Sequence, residues 1–154
     1  VISTMWMADL MLWDLALMEK EIEKAIKNIL PGQRFSAGND IVYLPDFEKS
    51  FTQSFKDKVY TPGEIKYCDS FQDSLLRYAS TWAAKEAVYK AVKQIDPSAL
   101  GPKKIEILRN KPAGRPTVIL QGKARQFDIA LSISHDGDYA WAIAFIENVS
   151  ASPA

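Results

Sequence analysis

The run Trp82-Ala83-Ala84-Lys85-Glu86-Ala87-Val88-Tyr89-Lys90 sets an acid and a base one helical turn apart. Trp82, Glu86 and Lys90 recur every four residues and so share one helix face. A carboxylate there suits a hard cation, and an ammonium one turn on suits phosphate. Asp40, after Gly38-Asn39 at the edge of an apolar run, adds a second carboxylate 46 residues upstream. Magnesium takes one or two protein carboxylates and leaves its other positions to water and substrate phosphates. Asp40 and Glu86, with Lys85 and Lys90 beside them, therefore suit a magnesium site that receives a phosphorylated ligand. Each residue alone has a plainer reading. Asp40 also suits a turn cap, and Glu86–Lys90 a surface ion pair of about 0.3–0.5 kcal/mol. Lys85 suits either a phosphate contact or a solvated helix face.

Five segments follow one another along the chain: Ala37-Gly38-Asn39-Asp40-Ile41-Val42, Tyr60-Thr61-Pro62-Gly63-Glu64 through Tyr67-Cys68, Trp82 to Lys90, Gly114-Arg115-Pro116, and Ser132-Ile133-Ser134-His135. This ordered set resembles the single-domain holo-acyl-carrier-protein synthase group of 4'-phosphopantetheinyl transferases, over roughly residues 35 to 147. The Lys-Glu-Ala-x-x-x-Lys core is its specific part. The resemblance implies magnesium-dependent transfer of 4'-phosphopantetheine from coenzyme A to a serine of an apo acyl carrier protein, releasing 3',5'-ADP. Asp40 and Glu86 become the metal ligands, and Asp40, Glu86 and Lys90 the catalytic set. Lys85, Lys90, Gly114, Arg115, Pro116 and His135 become coenzyme A contacts. It further implies a homotrimer with sites between neighbours, and fatty acid biosynthesis as the setting, though the residues do not separate this from polyketide or other lipid metabolism. A non-catalytic coenzyme A or carrier-protein binding module of a larger synthase is the alternative.

Two positions depart from that pattern. Thr81 stands where the family commonly has arginine, with Arg77 one turn earlier as a substitute guanidinium. Asn39 stands where a small aliphatic residue is usual, and a buried amide there needs a hydrogen-bond partner. Gly114-Arg115-Pro116 can present backbone and guanidinium to a 3'-phosphate or only shape a turn. His135, the single histidine, can be a structural strand-end residue. Cys68 reads as buried filler rather than a nucleophile.

The 154 residues carry 19 Lys plus Arg against 19 Asp plus Glu, so no global field draws this chain to nucleic acid. With 47% hydrophobic and 25% charged residues the composition is globular. One cysteine excludes an intramolecular disulfide and a cysteine-rich zinc site. With no secretion signal visible, the cytoplasm is the expected compartment. Asp9 and Asp14 interrupt the apolar stretch 5–18, which is therefore neither a signal peptide nor a membrane span. The start at Val1 rather than methionine suggests a piece of a longer chain.

Three regions are expected: an amphipathic helical extension over 1–33, a transferase domain over 34–148, and a frayed tail over 149–154. In the first, Met7, Met11, Leu15, Met18, Ile22, Ile26 and Ile29 form the apolar stripe of a helix over 7–30. Arg34 to Leu44 reads as a strand stopped by Pro45. Phe47, Phe51, Phe55 and Val59 mark one short helix whose Lys49, Lys56 and Lys58 suit docking of an acidic carrier helix, or only solvation. Thr61-Pro62-Gly63-Glu64 is a capping box, and a long helix runs from Ser70–Asp73 to about Ile95. Strands follow over 104–109, 117–120, 129–134 and 139–146, the last two joined at Asp136-Gly137. The expected fold is α+β: a small, mainly antiparallel sheet packed against one long helix.

Overall fold

The computed structural model describes residues 35–109, 114–122 and 127–147, all within the compact unit Arg34–Ala154. The expected helix over 7–30 and the expected tail over 149–154 lie outside the described residues.

Strand β1 spans Phe35–Tyr43 and is followed by three short helices, α1 Leu44–Ser50, α2 Gln53–Val59 and α3 Pro62–Asp69. The long helix α4 covers Ser74–Lys93, and a 3-10 turn at Pro102–Lys104 leads into β2 Ile105–Leu108. Strands β3 Thr117–Leu120, β4 Asp128–Asp136 and β5 Tyr139–Glu147 complete the unit. Two antiparallel sheets result, one ordered β1-β5-β4 and one pairing β2 with β3. The α+β expectation holds.

The four-residue phenylalanine spacing does not make one helix. Phe51 and Thr52 separate α1 from α2, and the Thr52 hydroxyl caps the second by accepting from Phe55 N at 3.2 Å. Pro45 does not simply end the strand either; it sits in the first turn of α1, where its missing N–H costs nothing. Thr61 and Glu64 close the expected capping box at the start of α3. Gly137 and Asp138 form a two-residue hairpin loop, since Asp136 pairs with Tyr139. Gly137, at φ +53°, supplies the positive dihedral that such a tight loop needs.

Alternation along the strands sorts the sheet into two faces. Val42, Leu131, Ala140, Ala142, Ala144 and Ile146 are buried beneath α4, which turns Ala83, Ala84, Ala87, Val88 and Ala91 toward them. Small residues on both sides let helix and sheet approach closely. The closest point is Gly38, where a Cβ would fall on the carbonyl oxygen of Ala87 and 2.7 Å from Ala91 N. Ser36 secures the same crossing by donating its hydroxyl to Ala91 O at 2.9 Å. The opposite face carries Phe35, Ile41, Tyr43, Tyr139, Trp141, Ile143 and Phe145, each at least 40% exposed. No described helix is long and apolar enough to cross a membrane.

Candidate active site

Asp40 lies two residues beyond Gly38, so both face α4. The crossing that Gly38 permits brings Asp40 against the helical turn bearing Glu86 and Lys90. The Lys90 ammonium donates to Asp40 Oδ1 at 2.7 Å and to Asn39 O at 3.0 Å. It reaches across a chain separation of 50 residues rather than back to Glu86, four positions away on its own helix. Glu86 is half-buried and near enough to Asp40 to feel its charge. Burial holds the Glu86 carboxyl above its ordinary value, the Asp40 charge adds to that rise, and Lys90 opposes it. Two carboxylates thus lie close enough to interact, and among the described residues Lys90 is paired with Asp40 and not with Glu86. Asp40, Glu86 and Lys90, chosen for type and spacing, are brought together.

Lys85 is neither solvated nor offered to a phosphate. It is 1% exposed, and its ammonium is bonded to Glu64 Oε2 at 2.8 Å, Pro102 O at 3.0 Å and Ile105 O at 2.6 Å. An ammonium has three N–H donors, and all three are occupied within the chain. The expected phosphate contact is corrected on that ground. Glu64, absent from the candidates drawn from sequence, is equally engaged. Besides Lys85 it accepts from Thr61 N and Ile107 N, each at 2.8 Å. The capping box foretold the first of these bonds. Nothing in sequence spacing signals a partner 21 residues away.

The other candidates lie elsewhere on the single chain. Arg115 and Pro116 line a hollow of about 490 Å³ along β4, with Ser132, Ile143 and Phe145 from the outer sheet face. Gly114 beside them is exposed. His135 is exposed near the end of β4 and lines a separate hollow of about 320 Å³ with Ile41, Tyr139 and Trp141. Glu86 lines a third, of about 240 Å³, with Lys85, Tyr89, Leu100, Pro102 and Ile105. Neither the Arg115 hollow nor the His135 hollow is lined by Asp40 or Glu86.

The departures also find their places. Thr81 is 2% exposed; its hydroxyl donates to Arg77 O at 2.8 Å and touches Cys68 Sγ at 3.8 Å. Arg77 is held by Asp73 at 2.9 Å and stacks over Phe71, so its guanidinium is already engaged. Asn39 is exposed on the outer face, and the anticipated need of a buried amide does not arise. Cys68 is fully buried, which pushes its thiol up to about 11 and leaves it unreactive. Of the three docking lysines, Lys49 binds Asp46 at 2.8 Å and Lys56 binds Asp69 at 3.0 Å, while Lys58 is exposed. The phenylalanines between them form no rim, because Phe47 is buried and Phe51 and Phe55 pack on Tyr60, Tyr78 and Trp82.

Residues 36–144 match the family model of the 4'-phosphopantetheinyl transferase superfamily. The holo-[acyl-carrier-protein] synthase of Koribacter versatilis is 36% identical over 121 residues, covering 72% of this chain and 96% of its own. That of Aquifex aeolicus is 37% identical over 122 residues, covering 73% and 98%. Among solved structures, the Chronobacterium ammoniagenes ACPS–CoA complex superposes with a TM-score of 0.63 at 31% identity, covering 73% of this chain and 96% of that one. With the two carboxylates and the lysine gathered where β1 crosses α4, these likenesses lead to one conclusion: the chain belongs to the holo-[acyl-carrier-protein] synthase family of 4'-phosphopantetheinyl transferases.

Proposed function

We propose that this chain transfers 4'-phosphopantetheine from coenzyme A to a serine of an apo acyl carrier protein, with magnesium held by Asp40 and Glu86. The observation that carries the reading is the meeting of Asp40, Glu86 and Lys90 in a member of this family. The donor set suits magnesium. It is all oxygen, as a hard cation prefers. Glu86, held high first by burial and then by the Asp40 charge, is a carboxyl that a small divalent cation shared with Asp40 would relieve. When bound, magnesium neutralises charge on the pyrophosphate and on the departing 3',5'-ADP.

The chain's own residues then have separate tasks. Lys90 keeps Asp40 oriented with one N–H, anchors to the Asn39 carbonyl with another, and has a third to offer a phosphate oxygen. Glu86 completes the carboxylate pair from the helix side. The carrier serine oxygen bonds to the phosphorus bearing the pantetheine, and the pyrophosphate P–O bond breaks toward 3',5'-ADP. The serine proton passes to a carboxylate or water at the site.

The assembly reading rests on the uncovered sheet face. An apolar patch of seven large residues is more than a monomer ordinarily leaves in water. Its burial in a homotrimer, with sites between neighbours, would set the Arg115–Pro116 and His135 hollows against another copy's carboxylates. Arg115, Gly114, Pro116 and His135 would then reach coenzyme A across the interface. Residues 1–33 are an appendage to this domain in the same reading, and the reaction is assigned to cytoplasmic fatty acid biosynthesis.

The test is intact-mass spectrometry of an apo acyl carrier protein incubated with this protein, coenzyme A and magnesium, beside an EDTA control. A phosphopantetheine increment that vanishes with EDTA supports the reading. Coenzyme A binding without any increment, across several carrier proteins, favours the binding module instead.

A further inference from the structure

The mechanism leaves one buried charged pair unused, Glu64 with Lys85. Such a pair is a poor device for stability alone, since desolvation offsets most of the attraction and apolar replacements often do as well. Its connections indicate another purpose. Lys85 ties α4 to the start of the 3-10 turn at Pro102 and to the start of β2 at Ile105. Glu64 ties the same ammonium to the first turn of α3 and to Ile107 within β2. Leu100, Pro102 and Ile105 form a wall of the hollow of about 240 Å³ that Glu86 also lines. That wall is therefore bonded to α4 through the residue directly preceding Glu86. From the sheet side, Gly38 and Ser36 hold the helix at Ala87 and Ala91. The Glu86 turn is gripped from both directions.

We propose that Glu64 and Lys85 are a positioning pair, setting the width of the hollow beside Glu86 and so the fit of coenzyme A there. The inference rests on the proposed transfer from coenzyme A at Asp40 and Glu86, and adds that part of the bound coenzyme A enters the hollow that Glu86 lines. Glu64 lies behind the hollow, and Lys85 lines it with all three N–H groups bonded within the chain, so both act through the Pro102–Ile105 wall and the α4 turn. The charges are matched within the chain, and three elements converge on one ammonium, which a hydrophobic contact could not orient so narrowly.

The experiment uses the double variant Glu64→Gln/Lys85→Met, which removes both charges together, with Glu64→Gln/Lys85→Gln as a second version that keeps an N–H donor and likewise leaves no unpaired buried charge. A control, Asp46→Asn/Lys49→Met, removes an exposed pair of the same type far from the hollow. Coenzyme A affinity is measured by calorimetry with magnesium, well below each thermal midpoint, beside KM and kcat for transfer. Loss of an orienting partner typically weakens such a site by about 10- to 100-fold. A folded variant with coenzyme A affinity reduced to that extent, KM rising with it, and an unchanged control would bear the proposal out. Wild-type affinity and kinetics in a folded pair variant overturn it. If both pair variants unfold, the pair is a folding element only, and the proposal is overturned likewise. A wild-type protein that binds coenzyme A but transfers nothing would sink the transferase reading, while the affinity comparison would still decide the role of the pair.

Discussion

Gly38 offers the sharpest test of how the site is assembled. A methyl group at this position would land on the Ala87 carbonyl oxygen, 2.7 Å from Ala91 N and 3.0 Å from Lys90 Cβ. Two of the three obstacles are helix backbone, so no side-chain rotation relieves Gly38→Ala. Strand or helix must move by on the order of 1 Å, and overpacking of this kind costs about 1–3 kcal/mol. The Ser36–Ala91 hydrogen bond spans the same contact and is worth about 1 kcal/mol. Stiffening of the unfolded chain returns roughly 0.4–1 kcal/mol. The net loss should be about 2–3 kcal/mol, a fall of roughly 5–12 °C in thermal midpoint for a domain of this size. The catalytic consequence should be larger. The displaced turn carries Glu86 and Lys90 while the strand carries Asp40, and misplacement by about 1 Å can cost on the order of 100-fold in rate. Urea unfolding gives the stability, and mass-spectrometric transfer assays at 15 °C or so, where the variant remains folded, give kcat/KM. A variant matching wild type in both denaturation midpoint and transfer would refute the argument that the β1–α4 approach builds the site.

Further expectations concern charge and assembly. Glu86→Gln should abolish transfer yet raise the thermal midpoint of the metal-free protein at pH 7. The Glu86 carboxyl is raised from its ordinary 4.5, so its favourable contribution is present below that pH and lost as pH rises through the folded value. The variant's advantage should therefore shrink toward pH 4, and an unchanged midpoint at pH 7 would count against the geometry. Asp69 is the opposite case. The Tyr78 hydroxyl first, then Lys56, hold it below its ordinary 3.8, so its contribution is present above that value and lost as pH falls through the folded one. Asp69→Asn should lower the midpoint at pH 7 and make little difference near pH 2. Trp141→Asp, on the uncovered sheet face, should convert an oligomer seen in sedimentation into a monomer. A wild-type monomer would remove the basis for sites between neighbours. Thr81→Arg should destabilise the fold, because a guanidinium must enter a contact where Thr81 is 2% exposed against Cys68; unimpaired urea stability would contradict that packing.

The sequence by itself determined the local chemistry and the elements whose causes are local. Glu86 and Lys90 are legible as neighbours because a four-residue repeat defines a helix face, and Asp40 only by its residue type beside a glycine. The capping box was legible because Thr61, Pro62 and Glu64 act within one turn, and the β4–β5 hairpin because Gly137 is needed where the chain reverses. The break between α1 and α2 is not legible in the sequence, because the phenylalanines keep helical spacing across it while packing into one aromatic cluster. Tertiary structure alone decided which partners the charges take. Lys90 bonds to Asp40 on a distant strand instead of Glu86 on its own helix, because the small residues at Gly38, Ala87 and Ala91 let β1 come that close. Lys85, one residue from Glu86, is turned by the helical period away from the sheet and into the core, where Glu64 meets it. A pattern along the chain can say which face a side chain occupies. Only packing says whether water, a phosphate or a buried carboxylate waits on that side.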